Sequence, residues 1–261
     1  MPITGDLTVW VAQLALILVR VSAFFIISPI WGRANIPSSL KIGLSVLITM
    51  ILINFFPPPI EPLYNTLLGY LALVIGELLV GLMFGYITTL FFSVVFTAGH
   101  LIDTQIGFGM VQVYDTTANI QIPIAGSLLN LILMLCFLVS GGHLRLIEIL
   151  VDTFSRVPIG RVDLKPELGL VVLNAFTRSF LIAMQVAMPI IASGLLAEIG
   201  LGIVVRTAPQ MNVFVIGIPI KTIIGLVILS LIMPVFVSMT GPLFSAMFEE
   251  LDHVIEVLAP V

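Results

Sequence analysis

The stretch LLGYLALVIGELLVGLMFGYITTLFFSVVF, residues Leu67–Phe96, decides the fold class of this chain. It runs for 30 residues with one charged side chain, Glu77. A helix of that length extends roughly 45 Å at about 1.5 Å per residue, whereas the hydrocarbon core of a bilayer is about 30 Å thick. The stretch therefore predicts a membrane helix that tilts, kinks or is not an ordinary span.

The composition of the whole chain agrees with a membrane environment. Of its 261 residues, 59% are hydrophobic and only 9% are charged, and the mean hydropathy is +1.23. A soluble domain carries about 25% charged residues, so lipid or a large assembly must cover much of this surface. The net charge of -4 and the lack of a basic run argue against binding to nucleic acid.

Several apolar segments of this kind predict an all-α, polytopic helical membrane protein. The six candidate segments are Leu7–Ile30, Leu40–Phe56, Leu67–Phe96, Ile122–Val139, Leu170–Leu196 and Val213–Val237. The sequence FPPPIEP after the second segment cannot be regular helix throughout, because proline lacks the amide donor. The longest polar connection is predicted over His100–Gln121.

The sequence offers no enzyme or metal-site motif. It has one cysteine, Cys136, and three dispersed histidines. It contains no zinc-protease, nucleophile-elbow, paired-cysteine or phosphate-binding signature. We therefore expect no catalytic residue, no bound metal and no cofactor.

Three charged side chains fall inside the apolar segments, where charge is costly: Arg20, Glu77 and Arg178. They indicate either ion pairs between helices or subunits, which we favour, or the lining of an ion pathway or watery interior. Gly81 and Gly85 form a GxxxG pair, which allows two helix backbones to approach closely.

The stretch HLIDTQIGFGMVQVYDTTANIQIPIAG, residues 100–126, is predicted to be a functional loop. Its glycines permit tight backbone turns, and its bulky apolar side chains are unusual for a surface loop. Such a loop can plug a passage and move aside. The candidate plug residues are Ile106, Gly107, Phe108, Gly109, Met110, Val111 and Tyr114.

A second informative stretch, RTAPQMNVFVIGIPIKTIIGL (206–226), reads as the turn of a helical hairpin over Leu170–Val237. Its polar end is expected at a membrane face, with Arg206, Gln210, Asn212 and Lys221 as candidate site residues.

Two further stretches have the periodicity of amphipathic helices. In His143–Val157, the charged stripe is Arg145, Glu148, Asp152 and Arg156, and the apolar stripe is Leu144, Ile147, Val151 and Phe154. In the acidic tail from Gly241, the apolar face is Phe244, Met247, Leu251, Ile255 and Leu258. The tail helix is expected either on the membrane surface or against a partner subunit.

The chain resembles the FliR/SctT family of type III secretion export gates, and in particular its flagellar branch. The resemblance is carried by DTQIGFGMVQVYD (103–115), GGHLRLIEIL (141–150) and PQMNVFVIGIPIK (209–221). It extends to RVSAFFIISPIWGRANIPSSLKIGLS (20–45) and covers about Val9 to Phe248. Thr116 departs from the family pattern, where proline is expected, and this puts the stiffness of that turn in doubt.

The resemblance implies a subunit that assembles with FliP-like and FliQ-like proteins into a channel for unfolded flagellar proteins. It implies a location in the bacterial inner membrane, within the flagellar basal body, beside FlhB-like and FlhA-like neighbours. It also implies a FliP-like part over residues 1–167, with the plug loop at 100–121 and an amphipathic helix at 143–157. A FliQ-like hairpin (168–240) and an acidic tail (241–261) follow.

The resemblance also implies helices that rise within a subunit cone, which would explain why the distribution of Lys and Arg gives no consistent orientation. An alternative from the residues alone is a secondary transporter for a small solute or ion. Such transporters often contain two repeated halves with matching broken helices, and DTQIGFGM has no counterpart near PQMNVF.

Overall fold

The computed structural model describes residues 7–33, 35–57, 64, 66–108, 123–163, 165–207 and 213–259, with only the backbone for residues 213–216 and 218. Helices account for most of this described part, which contains no β-strand. The predicted all-α class is confirmed.

Seven long helices follow one another in the described residues. They are α1 (Leu7–Ile27), α2 (Ser38–Phe55), α3 (Leu67–Ile106), α4 (Ile124–Val139), α5 (Gly142–Arg156), α6 (Glu167–Thr207) and α7 (Val213–Leu258).

Proline and glycine set several of the helix ends. Pro37 precedes the first residue of α2, and Pro123 precedes the first residue of α4. At these places the missing amide donor costs nothing, because the first N–H groups of a helix have no partner inside it. Gly141, which directly precedes α5, has a φ of 72°, a conformation that glycine adopts at little cost.

Three helices are longer than the apolar segments that predicted them. The helix α3 has 40 residues and continues through His100 to Ile106, so the first part of the predicted loop 100–121 is helical. The helix α6 has 41 residues, and α7 has 46 residues and includes most of the predicted separate tail. Prolines inside α6 and α7, such as Pro189 and Pro242, do not end these helices.

By length and composition, five helices in the described residues are apolar enough to cross a membrane. They are α1, α2, α3, α6 and the part of α7 over Pro219–Leu258. The predicted span Ile122–Val139 needs correction, because α4 has only 16 residues. It qualifies only as a bent pair with α5, which would bring the number of candidate spans to six.

The chain divides into two compact units. The first contains 1–90, 141–176 and 246–261, and the second contains 91–140 and 177–245. In the first unit, Phe24, Phe25 and Phe84 of α1 and α3 are almost fully buried.

The apolar face of the C-terminal tail is also part of the core of the first unit. Met247, Leu251, Ile255 and Leu258 have no exposed surface, and Lys165 Nζ donates a hydrogen bond of 3.0 Å to the carbonyl of Ala259. This corrects both sequence interpretations of the tail, because the face packs inside the chain and is not available to a membrane surface or a partner subunit.

The helix α5 is amphipathic, but its buried face differs from the predicted one. Leu144 is 63% exposed, whereas Leu146 and Leu150 are buried and Phe154 is buried as predicted. The charged stripe is confirmed by ion pairs at the surface, of 2.8 Å between Arg145 and Glu148 and of 2.7 Å between Arg156 and Asp152.

The second unit has an aromatic cluster and a tight helix contact. The ring of Phe137 lies edge-on to Phe92 and Phe244, with centroid distances of 5.1 and 4.9 Å. Gly99 of α3 faces Gly126 of α4 so closely that a Cβ on Gly99 would overlap the backbone of Gly126. The two helices can approach this closely only because both positions are glycine.

Candidate functional site

A buried ion pair joins α1 and α3 in the first unit. Arg20 Nε lies 2.5 Å from Glu77 Oε2, and neither side chain has exposed surface. The sequence interpretation of an ion pair between helices is confirmed for these two residues. Arg178, the third predicted charge, is half-buried on α6 in the second unit.

The remaining hydrogen-bonding groups of the pair are satisfied by α5 and by the turn that follows it. Arg20 donates to the carbonyl and hydroxyl oxygens of Thr153 at 3.1 and 3.2 Å and to the carbonyl of Val157 at 3.2 Å. Glu77 Oε1 accepts a hydrogen bond of 2.8 Å from the N–H of Gly160. The Arg20 guanidinium also lies 4.3 Å from the ring centre of Phe154, as in a cation–π contact.

Such an arrangement joins helices through satisfied polar groups. Two charges withdrawn from water are tolerated when each has good partners. Here one pair connects three helices, and both side chains are fully buried. We therefore assign Arg20 and Glu77 to the architecture of the first unit.

The GxxxG pair on α3 packs against α1, as its spacing predicted. A Cβ on Gly81 would come within 2.7 Å of the Ala23 Cβ and overlap the Arg20 backbone, and a Cβ on Gly85 would come within 2.9 Å of the Ile27 Cβ. These contacts place α1 next to Glu77 at the distance that the ion pair requires.

The base of the predicted plug loop forms a second polar contact, in the second unit. The carboxylate of Asp103, which is only 4% exposed, accepts backbone hydrogen bonds from Ile124 at 2.5 Å and from Ala125 at 3.1 Å. Asp103 lies near the end of α3, and its two donors are the first residues of α4. The two helix ends that flank the loop are thus joined by one side chain.

The end of α3 also packs against α6 and α7. The hydroxyl of Thr222 donates a hydrogen bond of 3.0 Å to the carbonyl of Ile106. The Ile106 side chain, itself 1% exposed, lies against Gly225, where an added Cβ would be 2.5 Å from Ile106 Cγ1. The side chain of Gln105 packs in the same close manner on Gly194 of α6.

Three predicted plug residues lie in the described part of the chain. Ile106 is the last residue of α3 and is buried, Gly107 has a φ of 96°, and Phe108 is half-buried. The positive φ is a conformation that favours glycine, so the chain can turn sharply where the helix ends. The other predicted plug residues, Gly109, Met110, Val111 and Tyr114, lie outside the described residues.

At the predicted hairpin turn, α6 and α7 are joined by an ion pair. Lys221 Nζ lies 2.5 Å from Glu198 Oε1, and the two side chains are 25% and 47% exposed. Arg206 is exposed near the end of α6. The other two predicted turn residues, Gln210 and Asn212, lie outside the described residues.

The sequence reasoning missed four residues that hold these contacts: Asp103, Gly194, Glu198 and Gly225. Asp103 was treated as part of a polar loop, and no local signal marks it, because its backbone partners begin 21 residues later in the chain. The two glycines and Glu198 belong to long apolar segments, and their partners are distant along the chain.

Among the described residues, no group of three or more His, Cys, Asp or Glu side chains is placed to hold a metal ion.

Comparisons with known proteins give one consistent family. Residues 11–247 match the family model of bacterial export proteins, family 1. The flagellar biosynthetic protein FliR of Escherichia coli (strain K12) is 32% identical over 203 residues, which are 78% of this chain and 77% of that protein. FliR of Bacillus subtilis (strain 168) is 32% identical over 211 residues, which cover 79% of this chain and 80% of the relative.

A secretion system apparatus protein also matches. The secretion system apparatus protein SsaT of Salmonella typhimurium is 31% identical over 157 residues, which are 60% of this chain and 61% of that protein. The similarity therefore extends to both branches of the family that the sequence resembled.

Proposed function

This chain belongs to family 1 of the bacterial export proteins and is a membrane component of the flagellar type III export apparatus, and we propose that it is a non-enzymatic subunit of the export channel. In this proposal, it assembles with FliP-like and FliQ-like subunits and passes unfolded flagellar proteins across the bacterial inner membrane. Its neighbours at the base of the channel are FlhB-like and FlhA-like proteins.

The proposal assigns separate roles to parts of the chain. Residues 1–167 correspond to the FliP-like part, residues 168–240 to the FliQ-like hairpin, and residues 241–261 to the tail. The ion pair between Lys221 and Glu198 supports a hairpin in this region, because it links α6 to α7 near their ends. We place the hairpin turn at the cytoplasmic mouth.

The main support for the channel proposal is the set of contacts that fix the end of α3, where the loop begins. Asp103 contacts α4 and Ile106 contacts α7. The loop therefore begins from a helix end whose position is fixed by these contacts. Gly107 then turns sharply into a segment rich in apolar side chains. A fixed base followed by an apolar sequence suits a seal that excludes water at rest and yields to an inserted polypeptide.

The exposed surface supports membership of an assembly. Large apolar side chains are exposed on both hairpin helices, including Leu196, Ile199 and Ile203 on α6 and Ile223 and Val227 on α7. Lipid or neighbouring subunits must cover these side chains. We expect FliQ-like hairpins to lie along them.

Co-expression and deletion test the proposal. The chain should co-purify with FliP-like and FliQ-like proteins. Recovery of a stable monomer that binds neither protein would contradict the proposed assembly. Deletion of residues 107–111 should leave the assembly intact and make the membrane permeable to small ions, as measured by conductance. A deletion variant that assembles and exports a reporter protein without leaking would show that this loop is not the seal.

Orientation has its own test. A cysteine introduced at Asn212 should react with a membrane-impermeant thiol reagent from the cytoplasmic side. Replacing Cys136 with alanine first removes the native thiol as a competing site. Labelling from the periplasmic side alone would place the hairpin turn at the opposite face.

A further inference from the structure

A pocket of about 320 Å³ lies in the first unit, where the start of α1 meets the end of α2 and the turn after α5. Two polar side chains, from Gln13 and Arg161, line it together with a mainly apolar wall. The apolar wall includes Phe55, Phe56, Phe154 and Ile159. A pocket of a few hundred Å³ with an apolar wall and a few polar groups is typical of a site for a small molecule.

The amide of Gln13 has one unsatisfied group. Its Nε2 donates a hydrogen bond of 2.7 Å to the carbonyl of Phe56. This bond assigns the orientation of the amide, because a flipped amide would place two oxygens together. Gln13 is only 4% exposed, and its Oε1 has no hydrogen-bond donor among the described residues. Because a buried acceptor without a donor costs free energy, the pocket favours a ligand that brings a donor.

The guanidinium of Arg161 is available to an anionic group. The residue is exposed, and no carboxylate in the described part of the chain lies within ion-pair distance of it. The arginines of α5 differ, because Arg145 is paired with Glu148 and Arg156 with Asp152. A guanidinium binds phosphate through two parallel hydrogen bonds. An unpaired arginine beside an apolar wall therefore favours a ligand that joins a phosphate to an apolar chain.

Aromatic side chains near the start of α1 indicate the depth of this pocket in a membrane. The hydroxyl of Tyr70 donates a hydrogen bond of 3.2 Å to the carbonyl of Ala12, next to Gln13. The ring of Tyr64 lies 4.9 Å from that of Tyr70, and Trp10 is exposed one turn before Gln13. The chain has two tryptophans and four tyrosines in all, and such side chains concentrate at the boundary between lipid and water. The pocket is thus placed at the level of lipid headgroups.

We propose that this pocket binds a membrane phospholipid whose headgroup carries a hydrogen-bond donor. Arg161 binds the phosphate, and Gln13 Oε1 accepts from the donor. The acyl chain lies against Phe55, whose ring is 73% exposed at the end of α2. Phosphatidylethanolamine has such a donor in its ammonium group, whereas phosphatidylcholine has the same phosphate and no donor. The site is separate from the export passage and does not depend on the proposed function.

The test measures lipid binding to the full chain, purified in detergent with its co-expressed partners and depleted of lipid. Native mass spectrometry follows titrations with phosphatidylethanolamine, phosphatidylcholine and inorganic phosphate. The variants are Arg161→Gln and Phe55→Ala. Arg33→Gln is the control for charge, because Arg33 is an exposed arginine that follows the opposite end of α1. Leu47→Ala is the control for apolar surface, because Leu47 is exposed on α2 outside the pocket.

We expect Arg161→Gln to weaken binding of phosphatidylethanolamine about tenfold, since a hydrogen bond to a charged group is lost. Phe55→Ala should weaken it by a similar factor, and Arg33→Gln and Leu47→Ala should leave it unchanged. Phosphatidylcholine should bind about tenfold more weakly than phosphatidylethanolamine to the unchanged chain. Both altered side chains are exposed, so the amount of assembled complex should not fall.

Several results would overturn the site. Equal binding of the two phospholipids would remove the role of Gln13, and equal binding by Arg161→Gln and the unchanged chain would remove that of Arg161. Inorganic phosphate that binds as tightly as the phospholipid would indicate an anion site without an apolar part. A photoreactive group placed at Phe55 should attach to lipid, and attachment to a partner subunit instead would mean that protein covers the pocket. None of these results bears on the export channel.

Discussion

Removal of one partner from the buried ion pair should be among the most damaging single changes in the first unit. In Glu77→Ala, the guanidinium of Arg20 stays fully buried and loses its counter-charge at 2.5 Å. The N–H of Gly160 loses its acceptor in the same change. The perturbation therefore leaves an unpaired charge and an unpaired backbone donor in place of a satisfied cluster.

The magnitude follows from these lost contacts. Breaking a buried ion pair by removing one partner costs about 3–5 kcal/mol. Arg20 keeps its bonds to the oxygens of Thr153 and Val157, which limits the loss to this range. Since a domain is stable by only about 5–15 kcal/mol, we expect a large fall in the free energy of unfolding.

Denaturant titration of the detergent-solubilised complex measures the effect. Trp31 reports locally, because its ring lies 4.9 Å from that of Phe25 in the core of the first unit. Glu148→Ala is the matched control, because it removes a carboxylate from an exposed ion pair worth only about 0.2–1 kcal/mol. In the double variant Arg20→Met with Glu77→Leu, the loss in free energy of unfolding should be smaller than the sum of the losses in the single variants Arg20→Met and Glu77→Leu. The difference should be at least about 1 kcal/mol.

Two results would refute this reasoning. Equal unfolding midpoints for Glu77→Ala and Glu148→Ala would mean that burial adds nothing to the pair. Additive losses in the double variant would mean that Arg20 and Glu77 act independently despite their short distance.

Three further changes test the helix contacts. Gly81→Ala should lower the thermal unfolding midpoint, because a Cβ overlaps the backbone of α1, whereas Gly43→Ala, in open space on α2, should raise stability by up to about 1 kcal/mol. Gly225→Ala should displace the end of α3 and increase the resting conductance, and Gly200→Ala, with no neighbour within 4 Å, should leave it unchanged. Lys221→Gln should cost at most about 1 kcal/mol in a denaturant titration, because its ion pair is partly exposed.

The sequence was sufficient for the class of fold and for most of the helices. Long apolar runs with few charges leave helix as the main way to satisfy backbone groups in an apolar environment. The charge spacing on α5 correctly predicted a polar stripe, whose members form surface ion pairs. The pairing of Arg20 with Glu77 was among the interpretations that the sequence allowed, because buried charges need opposite partners.

Other features depend on contacts that no local pattern encodes. The helix α3 continues through the polar stretch that begins at His100 because Asp103 and Ile106 gain partners on α4 and α7. The face of the tail was recognisable as apolar, but only the structure shows that Met247 and Leu251 are buried inside the chain. Where partners lie far apart along the chain, periodicity identifies a face without identifying its neighbour.

The same reasoning explains how a chain this apolar reaches one arrangement of its helices. Hydrophobic burial discriminates poorly between arrangements, since lipid tails are as apolar as leucine, and packing and hydrogen bonds must decide instead. Glycine allows the closest approaches, at Gly81 and Gly225 among others. The polar contacts of Glu77 and Asp103 then fix which residues meet. Glu77 accepts from Arg20 and Gly160, which lie far apart in the chain, and Asp103 accepts from the first two residues of α4. Glu77 and Asp103 both lie on α3. A shift of α3 along its axis would leave these buried carboxylates without their donors, and the free energy of that loss favours the observed contacts.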